Sequence, residues 1–298
     1  MTGRATAIGF SAVAMWALLA LLTDASGQVP PFQLSAMSFT IGAALGLALR
    51  GVFPKPDLAA RPPLGAWVIG IGGLFGYHFF YFTALRNAPA AEASLIAYLW
   101  PLFIVIGSAL MPGEKLKWHH VAGALLGLAG TALIITRGGA IAFDARYAFG
   151  YGAAIVCAFT WSGYSLLSRR FTAVPTTIVT WFCAAAAVLS AVCHVLLEQT
   201  VWPDGTTQWL AVAGLGLMPV GAAFYAWDYG VKHGHIQVLG ASSYAAPLLS
   251  TLILIAAGRT PPTLTILFAC LLITAGAALA AKDMLSRRVR LADGAAEA

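Results

Sequence analysis

The sequence predicts an all-α polytopic membrane protein: ten transmembrane helices, arranged as two inverted five-helix repeats, with both termini in the cytoplasm. Three observations lead there. Of 298 residues, 60% are hydrophobic and only 9% are charged. The apolar residues recur in blocks of about 20, the length that crosses a hydrocarbon core. The second half of the chain also repeats residues of the first at a nearly constant offset. A soluble domain carries about 25% charged residues, so an ordinary water-soluble enzyme is excluded.

The blocks run 5–23, 32–50, 64–86, 92–111, 118–136, 147–169, 175–198, 206–231, 236–257 and 262–281. The first follows Arg4 as an apolar run from Ala5 to Leu22 without a small-residue cleavage site, so it reads as a retained span rather than a removed signal peptide. Turn-forming residues separate the blocks: Gly27 to Pro31, Pro54-Lys55-Pro56, Arg61-Pro62-Pro63, Pro112-Gly113, Arg137-Gly138-Gly139, Pro203-Asp204-Gly205 and Pro261-Pro262. No break is long enough for a separate soluble domain.

Alternating the block ends puts Arg4, Arg50, Lys55, Arg61, Lys115, Lys117, Arg169, Arg170, Lys232, Lys282, Arg287, Arg288 and Arg290 on one side, 13 of the 17 basic residues. Arg86, Arg137, Arg146 and Arg259 fall on the other. Lys and Arg are retained on the cytoplasmic side, so both termini are expected there, in a bacterial inner membrane. The net charge of +6 therefore reports orientation and no nucleic-acid partner. Acids split evenly, with Asp57, Glu114, Asp283, Asp293 and Glu297 inside and Asp24, Glu92, Asp144, Glu198 and Asp204 outside, leaving Asp228 as the one acid within a span. Cys157, Cys183, Cys193 and Cys270 lie in apolar stretches without a C-x-x-C pair, and read as small core residues.

A shift of 146 lays Tyr98 on Tyr244, Pro101 on Pro247, Arg86 on Lys232, Gly70 on Gly216 and Gly130 on Gly276; a shift of 145 lays Trp16 on Trp161. The expected units are residues 1–140 and 141–298, the second ending in a short basic tail. Five spans is an odd number, so the second unit enters the membrane from the opposite face. Inverted-topology repeats are a mark of secondary transporters, whose site lies at the repeat interface near mid-membrane.

Leu95 to Ile134 carries Pro101 mid-span, then Gly113-Glu114-Lys115-Leu116 and a helix with Gly123, Gly127 and Gly130. With Trp16 and Trp161 in the first helix of each unit, the chain resembles the drug/metabolite transporter superfamily, EamA type, over nearly its whole length. The resemblance implies ten helices and export of small metabolites, and within the superfamily the aromatic-rich chain is most similar to exporters of aromatic amino acids. Two positions depart from the pattern. Ala17 and Ser162 replace a Gly after the Trp, and Arg259-Thr260 stands where the second copy should carry Gly-Glu.

Candidate binding residues gather around the two prolines. Proline lacks an N–H and displaces the carbonyl four residues back, so the C=O groups of Ala97 and Ser243 should lose their helical partners. Such groups either line a cavity, where a substrate ammonium serves them, or are satisfied by a neighbouring hydroxyl or water at a packing kink. Pro101 and Pro247 are the expected hinges. Tyr77, His78, Tyr81, Tyr98, Trp100, Trp161, Tyr164, Tyr225, Trp227 and Tyr244 cluster around these prolines, several of them at mid-depth rather than in an interfacial belt, which suits a cavity for apolar or aromatic side chains, while lipid-facing packing or an interfacial belt is the plainer reading of any one of them. Ser242 and Ser243 add hydroxyls. His78 is an ionisable group deep in a span, able to donate and to accept hydrogen bonds, or simply a buried His bonded to a neighbour. Asp228 stands four residues before Lys232, the spacing of a helical ion pair, and is the one candidate for proton coupling.

Other signals are plain. Gly70, Gly72, Gly73 and Gly76 do not make G-x-G-x-x-G; Gly72/Gly76, Gly42/Gly46 and Gly123/Gly127 read as small-residue helix packing. His119, His120, His233 and His235 fall on the inner side without Cys or ligand spacing, so no metal is expected. No cofactor and no catalytic pair is indicated. The expected partners are a small-molecule substrate, an amino acid, and the lipid bilayer, with either a monomer or a homodimer compatible with the chain. The expected function is export of aromatic or other hydrophobic amino acids by alternating access. A broad-specificity or threonine/homoserine-type exporter and a channel-like facilitator are the rivals.

Overall fold

The computed structural model describes residues 2–49 and 62–283. Arg50, Lys55, Asp57, Arg61, Arg287, Arg288, Arg290, Asp293, Glu297 and the Pro54-Lys55-Pro56 break lie outside them. The described residues are helical and contain no strand. Eight helical stretches are long and apolar enough to cross a membrane: α1 (Thr2–Ala25), α2 (Pro31–Ala48), α3 (Leu64–Asn87), α4 (Ala90–Leu110), α5 (Trp118–Thr136), α7 (Thr176–Leu197), α8 (Gly205–His233) and α9 (Ile236–Ala256). Two more complete the order, α6 (Ala148–Leu167) and α10 (Leu264–Ala280).

Five helices are interrupted: α1 at Ala17-Leu18, and four others whose interruptions match at the repeat offset. In α3, Gly72–Gly76 forms a π-helical turn, and in α8 Met218–Ala222 does the same, 146 residues on. Pro219 supplies no N–H to a normal ladder, and the glycines of α3 accept the wider turn, so both helices re-aim their following faces, a frequent device at functional sites. Gly72 therefore has open space around it rather than a packing partner, which corrects the expectation that Gly72/Gly76 is a helix-packing pair. In α4 and α9 the break falls at Tyr98-Leu99 and Ser243-Tyr244, just ahead of Pro101 and Pro247.

Four helix pairs join the two halves most extensively: α1 with α8, α2 with α7, α3 with α6 and α5 with α10. Where α5 crosses α10, a Cβ on Gly123 would stand 2.5 Å from the Gly276 carbonyl oxygen, and where α1 crosses α8, a Cβ on Gly230 would stand 2.4 Å from the Gly9 Cα. Without a solvent-driven hydrophobic force between spans, such close backbone approach supplies the packing energy. One apolar core is formed by Trp100, Trp161, Phe224 and Trp227 with their neighbours; a second, around Leu102, Tyr244 and Ile273, joins α4, α5, α9 and α10.

Glu198, at the end of α7, is buried and caps α2, accepting from the Phe32 and Gln33 amides at 3.1 Å. The same carboxylate takes Arg86 at 2.6 Å and His194 at 3.0 Å, so one acid fixes α2, α3 and α7 at a single end of the bundle.

Candidate functional site

The centre of the bundle is a nest of aromatic rings. Trp16, at the last turn of the first half of α1, lies 5.1 Å from Trp227, 5.6 Å from Trp161 and 6.2 Å from Trp100, ring centre to ring centre. Trp100 and Trp227 meet edge to face at 5.8 Å, and Phe224 reaches Trp161 at 5.6 Å and stacks on Phe39 at 5.8 Å. These separations fall within the 4.5–7 Å or so over which aromatic pairs attract. Tyr77 sits 5.4 Å from Trp161 and stacks on Tyr81, and Tyr164 lies 5.3 Å from Trp161.

The two sides of the nest differ in whether their polar tips find partners. On the side that holds Asp228 the polar tips are engaged. Trp227 Nε1 donates to Ser165 Oγ at 3.0 Å, and Trp16 Nε1 donates at 3.1 Å to the Pro219 carbonyl in the π turn of α8. Tyr164 donates to Asp228 at 3.3 Å, and the second Asp228 oxygen takes Thr176 at 2.7 Å and Lys232 at 2.8 Å. The Lys232 ammonium also donates to the Val174 carbonyl at 3.0 Å. Asp228 and Lys232 are thus a buried, fully partnered ion pair. This is the helical pair that their spacing suggested, and it leaves Asp228 no vacant oxygen for a substrate ammonium in this conformation.

On the other side several polar tips have no partner. His78 Nδ1 bonds the Leu74 carbonyl at 2.8 Å, which assigns the proton there and leaves Nε2 as an acceptor. Phe39 at 5.1 Å, Tyr77 at 5.5 Å and Phe82 at 6.1 Å surround its ring. His78 Nε2, the hydroxyls of Tyr77 and Tyr98, and the indole N–H groups of Trp100 and Trp161 have no hydrogen-bond partner among the described residues. These five polar atoms sit on neighbouring rings, so this side of the nest sets unsatisfied donors and one acceptor beside aromatic faces. The N–H and O–H groups suit a carboxylate, and Nε2 with the ring faces suits an ammonium. Tyr81 shares a hydrogen bond of 3.1 Å with Ser94.

Several expected site residues are elsewhere. Tyr225 bonds the Gly42 carbonyl at 3.2 Å and Thr180 at 3.0 Å, so it binds α8 to α2 and α7 outside the nest. Tyr244 is buried in the second core, against Gly127 of α5. Ser242 and Ser243 hydroxyls both turn back to the Leu239 carbonyl, at 3.2 and 2.7 Å. The Ser243 carbonyl is not orphaned either, because the turn tightens and it accepts from the Ala246 amide at 3.0 Å; the kink at Pro247 satisfies itself. Ala97 is buried just ahead of the matching break in α4. Conversely, Trp16, Phe224 and Phe39 belong to the nest. Trp16 was within reach of sequence reasoning, since it is the repeat partner of Trp161; Phe224 and Phe39 carried no signal beyond being apolar.

The one cluster of metal-ligand type among the described residues is His119, His120 and Asp283, whose ligand atoms lie within 4.8 Å of one another. Asp283 is taken by the Lys117 ammonium at 2.5 Å, and His120 Nδ1 accepts from the Lys117 amide. The group is a clasp between α5 and the end of α10, in which a cation would have to displace another. His233 and His235 are not part of it.

A bundle of long apolar helices that breaks at matched positions ahead of two prolines, around a nest of aromatic rings, is the architecture of a membrane transporter. The chain belongs to the EamA-like transporter family, whose sequence profile matches residues 4–136 and again 148–281. It is 55% identical over 95% of its length to a protein of Ancylobacter novellus named aromatic amino acid exporter YddG, covering 98% of that protein. It is 25% identical over 83% of its length to the exporter of the same name from Salmonella typhimurium, covering 86% of it. A solved crystal structure with 54% sequence identity superposes with a TM-score of 0.89, over 94% of this chain and 99% of that one.

Proposed function

We propose that this transporter exports aromatic amino acids across a bacterial inner membrane by alternating access. The observation that carries the reading is the nest of aromatic rings holding five unpartnered polar atoms, two of them indole donors and one an imidazole acceptor. The name carried by the 55% identical relative supports the same substrate class. In this reading all ten helical stretches cross the membrane, residues 1–140 and 141–298 are inverted copies, and both termini are cytoplasmic. The sealed floor at Tyr164, Asp228 and Lys232 faces the cytoplasm, so the conformation described is open outward. The substrate ring stacks among Trp16, Tyr77, Trp100 and Trp161, its carboxylate takes the indole and phenol donors, and its ammonium takes His78 Nε2. No charge in the cavity competes with the zwitterion, and release is correspondingly easy.

The test is uptake of labelled phenylalanine, tryptophan and threonine into proteoliposomes by wild type, Trp161→Ala and His78→Ala, with melting measured for each. Saturable transport of the two aromatic substrates over threonine, lost about tenfold or more in both variants while they remain folded, is the expected result. Equal and unchanged transport of all three rejects both the substrate class and the site. Flux without saturation favours a channel.

A further inference from the structure

One ion pair occurs twice, at opposite ends of the bundle, with its charges exchanged. Gly113 (φ +80°) and Gly258 (φ +69°) turn the loops after α4 and α9 in the same left-handed way. They are 145 residues apart, so the second loop keeps the glycine and Glu114 corresponds to Arg259, not to Thr260 as the sequence alone suggested. The same offset joins Trp16 to Trp161 and carries Asp24 onto Arg169. Glu114 pairs with Arg169, and Asp24 with Arg259.

The two copies are not equally tight. Arg169 donates through Nη2 to Glu114 and through Nη1 to the carbonyls of Val231, at 2.7 Å, and Gly234, at 3.1 Å, at the end of α8. Gln237 at the start of α9 donates to the other Glu114 oxygen at 2.8 Å. The node joins the ends of α6 and α8, the α4–α5 loop and α9, and its two charged side chains are only 20% and 17% exposed. Asp24 and Arg259 stand 3.5 Å apart, are 60% and 63% exposed, and join only the end of α1 to the α9–α10 loop. An exposed pair at that distance is screened and weak, whereas a guanidinium that also caps a helix C-terminus in a half-dry site holds firmly.

We propose that the two pairs are reciprocal gate latches of the alternating-access cycle, a reading that rests on the transport mechanism above. The Glu114–Arg169 node holds the cytoplasmic end shut in the outward-open state. The Asp24–Arg259 pair is the open form of the same node and tightens when the outer end closes. Leu85 and Ala88, at the end of α3, lie 146 residues before Val231 and Gly234, so in the closed outer node Arg259 bonds Asp24 and those carbonyls. Exchange of the charges leaves each node one arginine, the side chain that serves a carboxylate and helix-end carbonyls at once.

The experiment reads conformation without substrate. In a background with the four native cysteines replaced, Ser168→Cys, buried beside Tyr164 at the cytoplasmic end, reports opening of that end through its rate of reaction with a water-soluble maleimide. Glu114→Gln is expected to speed labelling about tenfold, and Asp24→Asn or Arg259→Gln to slow it several-fold. Asp24→Arg should slow it too, and adding Arg259→Glu should restore it by rebuilding the outer node with the inner node's charges. Shifts in the same direction for both pairs, or no shift at the outer pair, overturn the proposal. Should Glu114→Gln not fold, the outer variants carry the test, since they alter exposed side chains. If labelling behaves reciprocally but wild type carries no phenylalanine, the latches stand and the substrate reading falls; if phenylalanine is carried and labelling is unmoved, the reverse holds.

Discussion

Removing Lys232 should destabilise this protein more than removing both members of its buried ion pair. Asp228 is 1% exposed, and its carboxylate stands 2.8 Å from the Lys232 ammonium. At that separation and an effective dielectric of about 20, the attraction is about 6 kcal/mol, against a desolvation cost of several kcal/mol for each ion. The net worth of the pair is therefore small, but the cost of breaking it is not. Lys232→Met leaves a carboxylate with only the Tyr164 and Thr176 hydroxyls, at 3.3 and 2.7 Å, and should cost about 3–5 kcal/mol. Asp228→Asn strands an ammonium on the Val174 carbonyl and should cost a similar amount. The double variant removes both charges and should recover about 2 kcal/mol or more, a coupling read from a double-mutant cycle. The assay is thermal or denaturant unfolding of detergent-solubilised protein, at neutral pH and two salt concentrations. Additive costs below about 1 kcal/mol each would refute the reasoning, because they would mean that water reaches the pair. The same variants bear on coupling: a double variant that still responds to a proton gradient in proteoliposomes removes Asp228 as the coupling acid.

Four further outcomes follow from packing, backbone strain and charge. Gly123→Val places branched carbons against the Gly276 carbonyl, which a Cβ alone would approach to 2.5 Å, so it should cost about 1–3 kcal/mol in a melting assay; Gly113→Ala, where no atom crowds the Cβ but φ is +80°, should cost about 1 kcal/mol from backbone strain alone. Glu198→Gln weakens the charged cap on α2 and the tie to Arg86, and should lower stability by about 2 kcal/mol, with faster amide exchange at Phe32 and Gln33 as the local sign. The Lys117 ammonium bonded to Asp283 holds that carboxyl below its usual range. A carboxyl whose pKa is depressed on folding stabilises above the unfolded pKa and loses that contribution as the pH falls through the folded one. Asp283→Asn should therefore lower stability at neutral pH by up to about 1 kcal/mol, since the pair is exposed, and the difference from wild type should shrink below about pH 4.

Apolar run length and turn residues fixed where the helices lie, because a lipid-spanning helix satisfies its own backbone and needs only about 20 apolar residues in a row. The repeat offset was equally legible, and it located both kinks, since proline breaks a helix by its covalent structure alone. Trp161, Trp100, His78, Tyr77 and Tyr98 could be singled out by depth along a span. Which way a residue faces around its helix could not, because two five-residue π turns, in α3 and α8, shift the register of everything after them. Tyr225, in the helix that follows the second π turn, binds α8 to α2 and α7, and Tyr244, singled out because it precedes the second kink, packs against Gly127 of α5. Nor could depth decide which polar groups are already satisfied: the hydroxyls of Ser242 and Ser243 and the carboxylate of Asp228 find partners within the protein, while His78 Nε2 and the Trp161 N–H do not. The sequence by itself determined the apolar helical runs, the repeat offset and the wealth of aromatic residues around the kinks, all properties of local chemistry. Only the tertiary structure decided which polar groups find partners and that Glu114 and Arg259 are opposite-charged counterparts, because both depend on contacts between helices far apart in the chain.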